Sequence, residues 1–309
     1  MAKTPTYQSG LEKFNRTSNG INALFTLIFI LLAIACVVPV IVVLSISLTD
    51  ESYIRETGYS IFPTALSGDA YSYIAKQGTM ILRALGVSLL VTVVGTVLGV
   101  LLTTTMGYVI SRPAYKLKNF LTWVVFIPMV FNGGLVSSYF INTNFLGLKN
   151  SVWALILPLA VSSFNVIICK TFFRSTIPDG LIESAEIDGA SQFRTFFSII
   201  LPISLPVLAT IGLFLCFGYW NDWFQSMLYI DNQNLYSLQA LLNSLMSNAD
   251  ALARNSISMG ISFAELVATM PKESARMAVA ILIVLPVACA YPFFQRYFIT
   301  GLTIGAVKG

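Results

Sequence analysis

Histidine is absent from the 309-residue sequence, and charged residues make up only 10% of it. Without histidine there is no Ser-His-Asp or Cys-His nucleophile pair, no histidine proton shuttle and no histidine metal ligand. An ordinary globular domain carries about 25% charged residues. With 56% hydrophobic residues, the composition excludes a soluble domain, a disordered chain and a nucleic-acid-binding protein. It is the composition of an integral membrane protein.

Cysteine is scarce as well, and its spacing suggests no metal site. The four cysteines each lie in an apolar stretch, and no two have the Cys-x-x-Cys spacing of zinc and redox motifs. We therefore predict small buried side chains and no bound metal. The four residues are Cys36, Cys169, Cys216 and Cys289.

The sequence also lacks a nucleotide-binding loop. A Walker A loop needs the pattern GxxxxGK[ST], yet Lys-Thr occurs only at Lys3–Thr4 and Lys170–Thr171, where neither lysine follows a glycine. We predict that this chain is not an enzyme and binds no cofactor itself. If it moves a solute uphill, the energy must come from another chain.

Long apolar stretches are what the sequence has instead. A bilayer-spanning helix needs about 20 predominantly apolar residues, and six stretches without Asp, Glu, Lys or Arg are long and apolar enough. The first exceeds the roughly 7–15-residue core of a cleaved signal peptide, so we expect it to be retained. We predict an all-α membrane protein with six transmembrane helices near residues 22–48, 82–110, 120–141, 151–173, 203–229 and 276–298.

The Lys and Arg residues set the predicted orientation, because cytoplasmic loops carry an excess of them. With the N-terminus inside, the inner segments hold 11 of the 18 cations and the outer segments hold 7. We therefore predict cytoplasmic termini, a cytoplasmic segment at 1–20, and outer loops at 49–81 and 230–275. A seventh charge-free stretch, 232–249, is too polar to span, and we predict an external amphipathic segment there.

The predicted spans carry no charge at their centres, where an Asp, Lys or Arg costs about 2.5–3.5 kcal/mol on insertion scales. Asp222, near the outer end of the fifth span, comes closest. Ion-coupled transporters and intramembrane proteases use polar or charged groups at that depth, so both functions are weakened. Gly95 and Gly99 form a GxxxG pattern in the second span, which we interpret as helix packing only.

The inner loop between the fourth and fifth spans, residues 174–202, has the chemistry of two short helices joined by a tight turn. Pro178 suits a first helical position, and Gly189 suits the left-handed residue that ends a helix. Ser191 can cap a second helix over 192–200. The first helix has an acidic side and an apolar side. The apolar side consists of Ile177, Leu181, Ile182 and Ala185.

By geometry alone, this loop also suits an ordinary surface hairpin that joins two spans. Its residue order, however, resembles the EAA loop, the signature of ABC importer permeases. In that motif, Glu-Ala-Ala is followed by three residues and then by a glycine, and residues 183–185 and Gly189 have this spacing. Residues 199–202 match the Ile-x-Leu-Pro sequence that ends the motif. Ser184 replaces the first alanine of the motif and is small enough for the same packing.

Other segments extend the resemblance to most of residues 20–309. The segment from Gln295 onward is similar to the C-terminus of maltose-type sugar permeases, and residues 220–223 are similar to their aromatic element after span five. Residues 131–158 are similar to the LplC- and YtcP-type oligosaccharide branch. The chain thus resembles the second permease of a heterodimeric carbohydrate ABC importer.

The resemblance implies a type I ABC importer permease fold for residues 21–300. In that family the EAA loop docks into a groove on a cytoplasmic ATPase dimer, and the C-terminal tail, here 301–309, reaches between the ATPase subunits. Pro202 and Pro206 would relay the motion, since proline interrupts the helical hydrogen-bond ladder. The implied coupling residues are Glu183, Ser184, Ala185, Asp188, Gly189, Ala190, Phe193 and Pro202, with Gly301, Gly305 and Lys308 in the tail.

The resemblance also implies the other components. They are a homologous second permease, the ATPase dimer, which binds the ATP and magnesium, an extracellular or periplasmic solute-binding protein and a carbohydrate, at a bacterial cytoplasmic (inner) membrane. The branch favours oligosaccharides from complex or uronate-bearing glycans.

Aromatic rings and amides in the spans suggest a sugar path, because rings stack on sugar C–H faces and amides bond to hydroxyls. Such residues also serve as membrane anchors and helix contacts, and in related systems the partner permease supplies most sugar contacts. The candidates are Asn132, Tyr139, Asn142, Asn165, Trp220 and Asn221.

Three alternatives stay open at this point. The solute of an ABC permease can be a polyol or a glycerol phosphate, for which Arg83 and Arg276 are the cationic candidates. A non-transport membrane scaffold explains the spans but not the EAA spacing. A membrane-embedded enzyme would need a catalytic constellation that the sequence lacks.

Overall fold

The structure is a computed structural model that describes residues 19–63, 65–76, 78–245, 247 and 272–306. These residues form helices joined by turns, as the all-α prediction requires. The described parts of Met1–Tyr71 and Pro271–Ala278 form one compact unit, and those of Ser72–Met270 and Val279–Gly309 form a second. The predicted segment 1–20 falls almost wholly outside the described residues.

The α-helices of the described residues are numbered in chain order. They are α1 (Asn19–Ser47), α2 (Glu51–Thr57), α3 (Asp69–Lys76), α4 (Gly78–Ser111), α5 (Lys118–Val130), α6 (Gly134–Phe140), α7 (Trp153–Ala160), α8 (Ser163–Thr176), α9 (Asp179–Ile187), α10 (Gln192–Ile203), α11 (Leu205–Trp220), α12 (Phe224–Tyr229), α13 (238–245) and α14 (Lys272–Ala306).

Two predicted spans are confirmed as long apolar helices. α1 is apolar enough to cross a membrane over Gly20–Ser47, and α4 does so over 34 residues. At about 1.5 Å per residue, α4 is about 50 Å long, well beyond the roughly 30 Å hydrocarbon core. Its ends therefore extend past the apolar layer. The described helices include up to four spans if each bent pair counts as one, so the count of six stays a prediction.

The predicted third span, 120–141, is not one helix. α5 has only 13 residues, and residues 131–133 that follow it are not helical. α6 comes next and is followed by a π-helical turn at Ile141–Phe145. At the break, the Asn132 side chain accepts the N–H of Gly134, whose φ is +82°. Counting charges and apolar residues does not detect such a break, because the whole stretch is uncharged.

The fourth and fifth predicted spans are also interrupted. α7 and α8 meet at a 47° bend, at two extended residues, Val161 and Ser162. α10 and α11 meet at an 82° bend at Ser204. Pro202 and Pro206 flank this second bend, where the sequence predicts a proline pivot. α11 ends at Trp220, so the helix does not continue to residue 229 as predicted.

The prediction of four buried cysteines is wrong for two of them. Cys169 is buried and Cys216 half-buried, whereas Cys36 and Cys289 are exposed in this chain. Both exposed cysteines lie on apolar helices. In a membrane protein an apolar side chain needs no protein cover, because it can face lipid instead.

In the first unit, a carboxylate from α2 caps the N-terminus of α14. The Glu51 carboxylate accepts the N–H groups of Glu273 and Ser274 at 3.0–3.1 Å. The Tyr59 hydroxyl donates to Glu273 at 3.0 Å, and this hydrogen bond raises the pKa of Tyr59. Residues far apart in the sequence are thereby joined, and two of the four orphan N–H groups at this helix start are satisfied.

In the second unit, α4 packs closely against α7, α8 and α11 along a row of small residues. A Cβ atom on Gly95 would lie 2.4–2.8 Å from the ring of Tyr219, and one on Gly99 would lie 2.8 Å from Leu215. The packing interpretation of this GxxxG pattern is thus confirmed. Gly107 extends the row, since its Cβ would lie 2.5 Å from that of Cys169.

We predict that Gly95→Leu destabilises the chain by about 1–3 kcal/mol, the usual cost of overpacking. The Tyr219 ring cannot easily move away, because its hydroxyl donates to the Ile156 carbonyl at 2.7 Å. The thermal unfolding midpoint of the detergent-purified protein measures the effect. Gly86→Leu is the matched control, since Gly86 lies on the same helix with no atom near its Cβ. Equal midpoints for the two variants would contradict close packing at Gly95.

Candidate functional site

The loop between α8 and α10 folds as the predicted helical hairpin. α9 begins at Asp179, one residue after Pro178, which lies just outside the helix rather than at its first position. Gly189 adopts a φ of +77°, and the N–H of Ala190 donates to the Ala185 carbonyl at 2.9 Å. This bond and the left-handed glycine form the usual C-terminal closure of a helix. The predicted glycine turn is confirmed.

The second helix of the hairpin is capped as predicted. The Ser191 hydroxyl oxygen accepts the N–H of Arg194 at 3.3 Å. α10 then continues through a π-helical turn, Thr195–Ile200, to Ile203. The predicted helix over 192–200 is confirmed and is three residues longer. π turns of this kind often occur at functional sites.

One side of the hairpin is seated on the core of the second unit. Ile177 and Ala185 are 3% and 6% exposed, and Leu181 and Ile182 pack against the same apolar cluster. The predicted apolar side is therefore confirmed. Because the Ala185 side chain is buried against its own chain, its small size lets the hairpin pack closely.

Other side chains of the hairpin are exposed, and they include carboxylates and two large apolar side chains. Ile187 is 86% exposed and Phe193 is 78% exposed, and Glu183 and Asp188 are exposed as well. Sequence reasoning identified Phe193 but missed Ile187. The sequence does contain an indication that Ile187 is exposed, because Ile187 lies four residues after Glu183 and so shares its helix face.

Two of the predicted solute-path residues meet around a third residue that the sequence did not single out. The rings of Tyr139 and Tyr229 stack with centroids 5.8 Å apart and planes 6° apart. The Asn142 amide donates to the Tyr229 hydroxyl at 3.0 Å. Tyr229 is buried, whereas Tyr139 and Asn142 are partly exposed. The contact is long-range, so no local pattern could reveal it.

The other predicted path residues have different positions. Asn132 is exposed at the break after α5, while Asn165 and Trp220 are 6% and 5% exposed. The Trp220 indole donates to the Ile283 carbonyl at 3.1 Å. Asn221 is exposed and donates to the carbonyl four residues before it. The described contacts do not join these four residues to Tyr139 and Asn142.

The predicted tail residues are only partly described. α14 runs to Ala306, so Gly301 and Gly305 lie in a helix, whereas Lys308 lies outside the described residues. Among the residues that the structure describes, no cluster of Cys, Asp or Glu side chains is arranged to hold a metal ion.

Residues 95–304 match the family described as "Binding-protein-dependent transport system inner membrane component", and the chain belongs to this family. It is 38% identical to Protein LplC of Bacillus subtilis over 273 residues, which cover 88% of this chain and 90% of LplC. It is 36% identical over 280 residues to the polygalacturonan/rhamnogalacturonan transport system permease protein YtcP of the same organism, covering 91% and 95%. The chain is therefore an ABC transporter permease subunit and not an enzyme, and a separate ATPase hydrolyses ATP.

A solved structure shares the fold. It is a chain in the crystal structure of a bacterial ABC transporter involved in the import of the acidic polysaccharide alginate. The TM-score is 0.74 at 24% identity, over 96% of this chain and all of that one. The described helices thus adopt the type I ABC permease fold.

We predict that Gly189→Ala loosens the hairpin, because a left-handed residue with a Cβ costs roughly 1–2 kcal/mol. The cause is φ rather than space, since a Cβ at Gly189 would meet no atom within 4 Å. Gly189→Asn should cost less, because Asn tolerates this conformation. Hydrogen exchange of the amides in 179–203 measures the effect. Gly180→Ala, in α9 with equally open space, is the control. Equal exchange in the Ala and Asn variants of Gly189 would contradict the prediction.

Proposed function

We propose that this chain is a permease subunit of an ATP-driven, binding-protein-dependent importer of oligosaccharides. It forms half of the translocation path, with a homologous second permease forming the other half. The relatives support a carbohydrate solute, since YtcP carries the name of a polygalacturonan/rhamnogalacturonan permease. By that likeness, the solute is an oligosaccharide from a complex or uronate-bearing glycan, selected by an external binding protein.

The proposal that the hairpin couples to an ATPase rests on one observation: the hairpin has a buried side and an exposed side. Its buried side fixes it to the transmembrane core, and its other side presents Glu183, Ile187 and Phe193 to solvent. Gly189 fixes the angle between its two helices. We assign Ile187 and Phe193 as the apolar anchors in an ATPase groove, and Glu183 as the partner of a cation there.

The membrane arrangement completes this proposal. The hairpin and both termini lie on the cytoplasmic side, residues 21–300 form the permease domain, and the tail 301–309 lies against the ATPase dimer. The loops 49–81 and 230–275 face the binding protein. The location is the cytoplasmic membrane of a bacterium.

Tyr139 and Asn142 are the proposed residues of the solute path. Tyr139 and Asn142 are partly exposed and present a ring and an amide side by side, so they are the preferred contacts of a sugar. Trp220 is buried and bonded to α14, which suits a helix contact better.

A phosphate-bearing solute is less favoured. Of the two candidate cations, Arg83 donates to Asn234. Arg276 pairs with Glu273 at 3.6 Å. Both guanidinium groups are therefore engaged within the protein. A scaffold role does not account for membership in a transport family.

Co-expression with the neighbouring genes, followed by affinity purification through a tag on this chain, tests the proposed assembly. We expect a stoichiometric complex with an ATPase, whose vanadate-sensitive activity rises with a loaded binding protein. Oligogalacturonides and rhamnogalacturonan fragments should stimulate it, whereas maltotriose and glycerol 3-phosphate should not. Purification without any ATPase, although the neighbours are well expressed, would overturn the proposal.

We predict that Ile187→Asp or Phe193→Asp lowers ATPase co-purification and uptake by about tenfold or more, since a lost interface anchor costs 1–2 kcal/mol or more. Membrane insertion should be unchanged, because both side chains are exposed. Leu117→Asp is the matched control, as Leu117 is 55% exposed in the other short loop on the same predicted side. ATPase binding at the wild-type level in both hairpin variants would refute these anchors.

A further inference from the structure

Arg112, the residue directly after α4, joins three helices through one side chain. Its guanidinium donates to the Phe173 carbonyl in the last turn of α8 at 3.0 Å and lies 3.4 Å from the carboxylate of Asp179, the first residue of α9. Its Nε donates to the Ser111 hydroxyl at 3.0 Å. The side chain is only 13% exposed, and its Cζ lies 5.1 Å from the centre of the Tyr108 ring.

This arrangement uses the planar shape of arginine. One fork of fixed N–H donors contacts the negative end of the α8 dipole and a carboxylate at the positive start of α9. A lysine ammonium has the charge but not the fork. Arg174 also contacts Asp179, at 3.3 Å, but it is 56% exposed. Exposed ion pairs contribute little, so Arg112 is the main link.

The last turn of α4 contacts the second hairpin helix as well. The Tyr108 ring packs edge-on against Phe173, with centroids 5.8 Å apart, and lies 5.1 Å from the ring of Phe196 in the π turn of α10. α4 is therefore joined to α9 through Arg112 and to α10 through Tyr108. Both helices of the hairpin are held at the same end of the same long helix.

We propose that Arg112 is the positioning residue that makes the hairpin move together with α4. The inference rests on the proposed coupling function and adds a route to it. A push on the hairpin reaches α4 directly, and not only α11 through the bend at Ser204. The close contacts at Gly95, Gly99 and Gly107 then carry the movement of α4 to the helices packed against it.

The test compares Arg112→Gln and Arg112→Lys with Arg174→Gln in the whole reconstituted transporter. The readouts are ATPase co-purification, ATPase rate, and oligosaccharide transported per ATP hydrolysed in proteoliposomes. We expect Arg112→Gln to assemble and hydrolyse ATP while transport per ATP falls by about tenfold, a usual size for coupling between sites. Arg112→Lys should fall between Arg112→Gln and wild type, and Arg174→Gln should stay within about twofold of wild type.

A purely structural role would lower the amount of complex but leave transport per ATP unchanged. That unchanged ratio in assembled Arg112→Gln would overturn the inference. If Arg112→Gln does not fold, Asp179→Asn decides, because Asp179 is half-exposed and its replacement removes its ion pairs with Arg112 and Arg174, the second of which Arg174→Gln removes alone. An unchanged ratio in Asp179→Asn would then overturn it. Failure of the proposed function itself would be visible separately, as a wild-type complex that binds no ATPase.

Discussion

Every break in a membrane helix leaves backbone N–H and C=O groups that lipid cannot hydrogen-bond, and this constraint shapes much of the structure. Polar side chains in the apolar segments supply partners at these places. The Asn132 oxygen accepts the Gly134 N–H at the break after α5, and the Ser204 hydroxyl donates to the Ile200 carbonyl at the bend before α11. Away from the breaks, the Trp220 indole donates to the Ile283 carbonyl inside α14. Side chains that suggest a solute path in the sequence therefore have backbone roles as well.

The same constraint explains why α4 organises the second unit. It is an unbroken helix of 34 residues, and a continuous helix satisfies its own backbone. Its row of small residues lets neighbouring helices approach, so the interrupted helices α7, α8 and α11 can pack against a regular one. Because α4 is longer than the apolar layer is thick, its last turn reaches the hairpin. The position of the hairpin thus depends on a helix that is far from it in sequence.

Features that depend on neighbouring residues could be predicted from the sequence, whereas helix breaks and long-range contacts could not. The hairpin was predictable because its signals are local: Pro178 before the first helix, Gly189 at the turn and Ser191 at the cap all act within a few residues. The two unbroken spans were predictable from apolar length. The helix breaks were not predictable, because the residues on both sides of each break are uncharged and a hydropathy count does not distinguish them from a continuous helix. The contacts of Arg112 and Tyr229 were not predictable either, since they join residues 61 to 90 positions apart.

Exposed apolar side chains have different meanings in different parts of this chain. On α1 they suit contact with lipid, so their exposure alone does not point to a protein partner. On the hairpin they lie among carboxylates, since four of the 14 acidic residues fall within 179–188. Lipid does not solvate such a surface, and water solvates Ile187 and Phe193 poorly. Burying each side chain is worth about 1.5–3 kcal/mol, whereas the carboxylates mainly add specificity and association rate. Affinity from two anchors and orientation from the surrounding charges are together what a small docking surface on a protein groove requires.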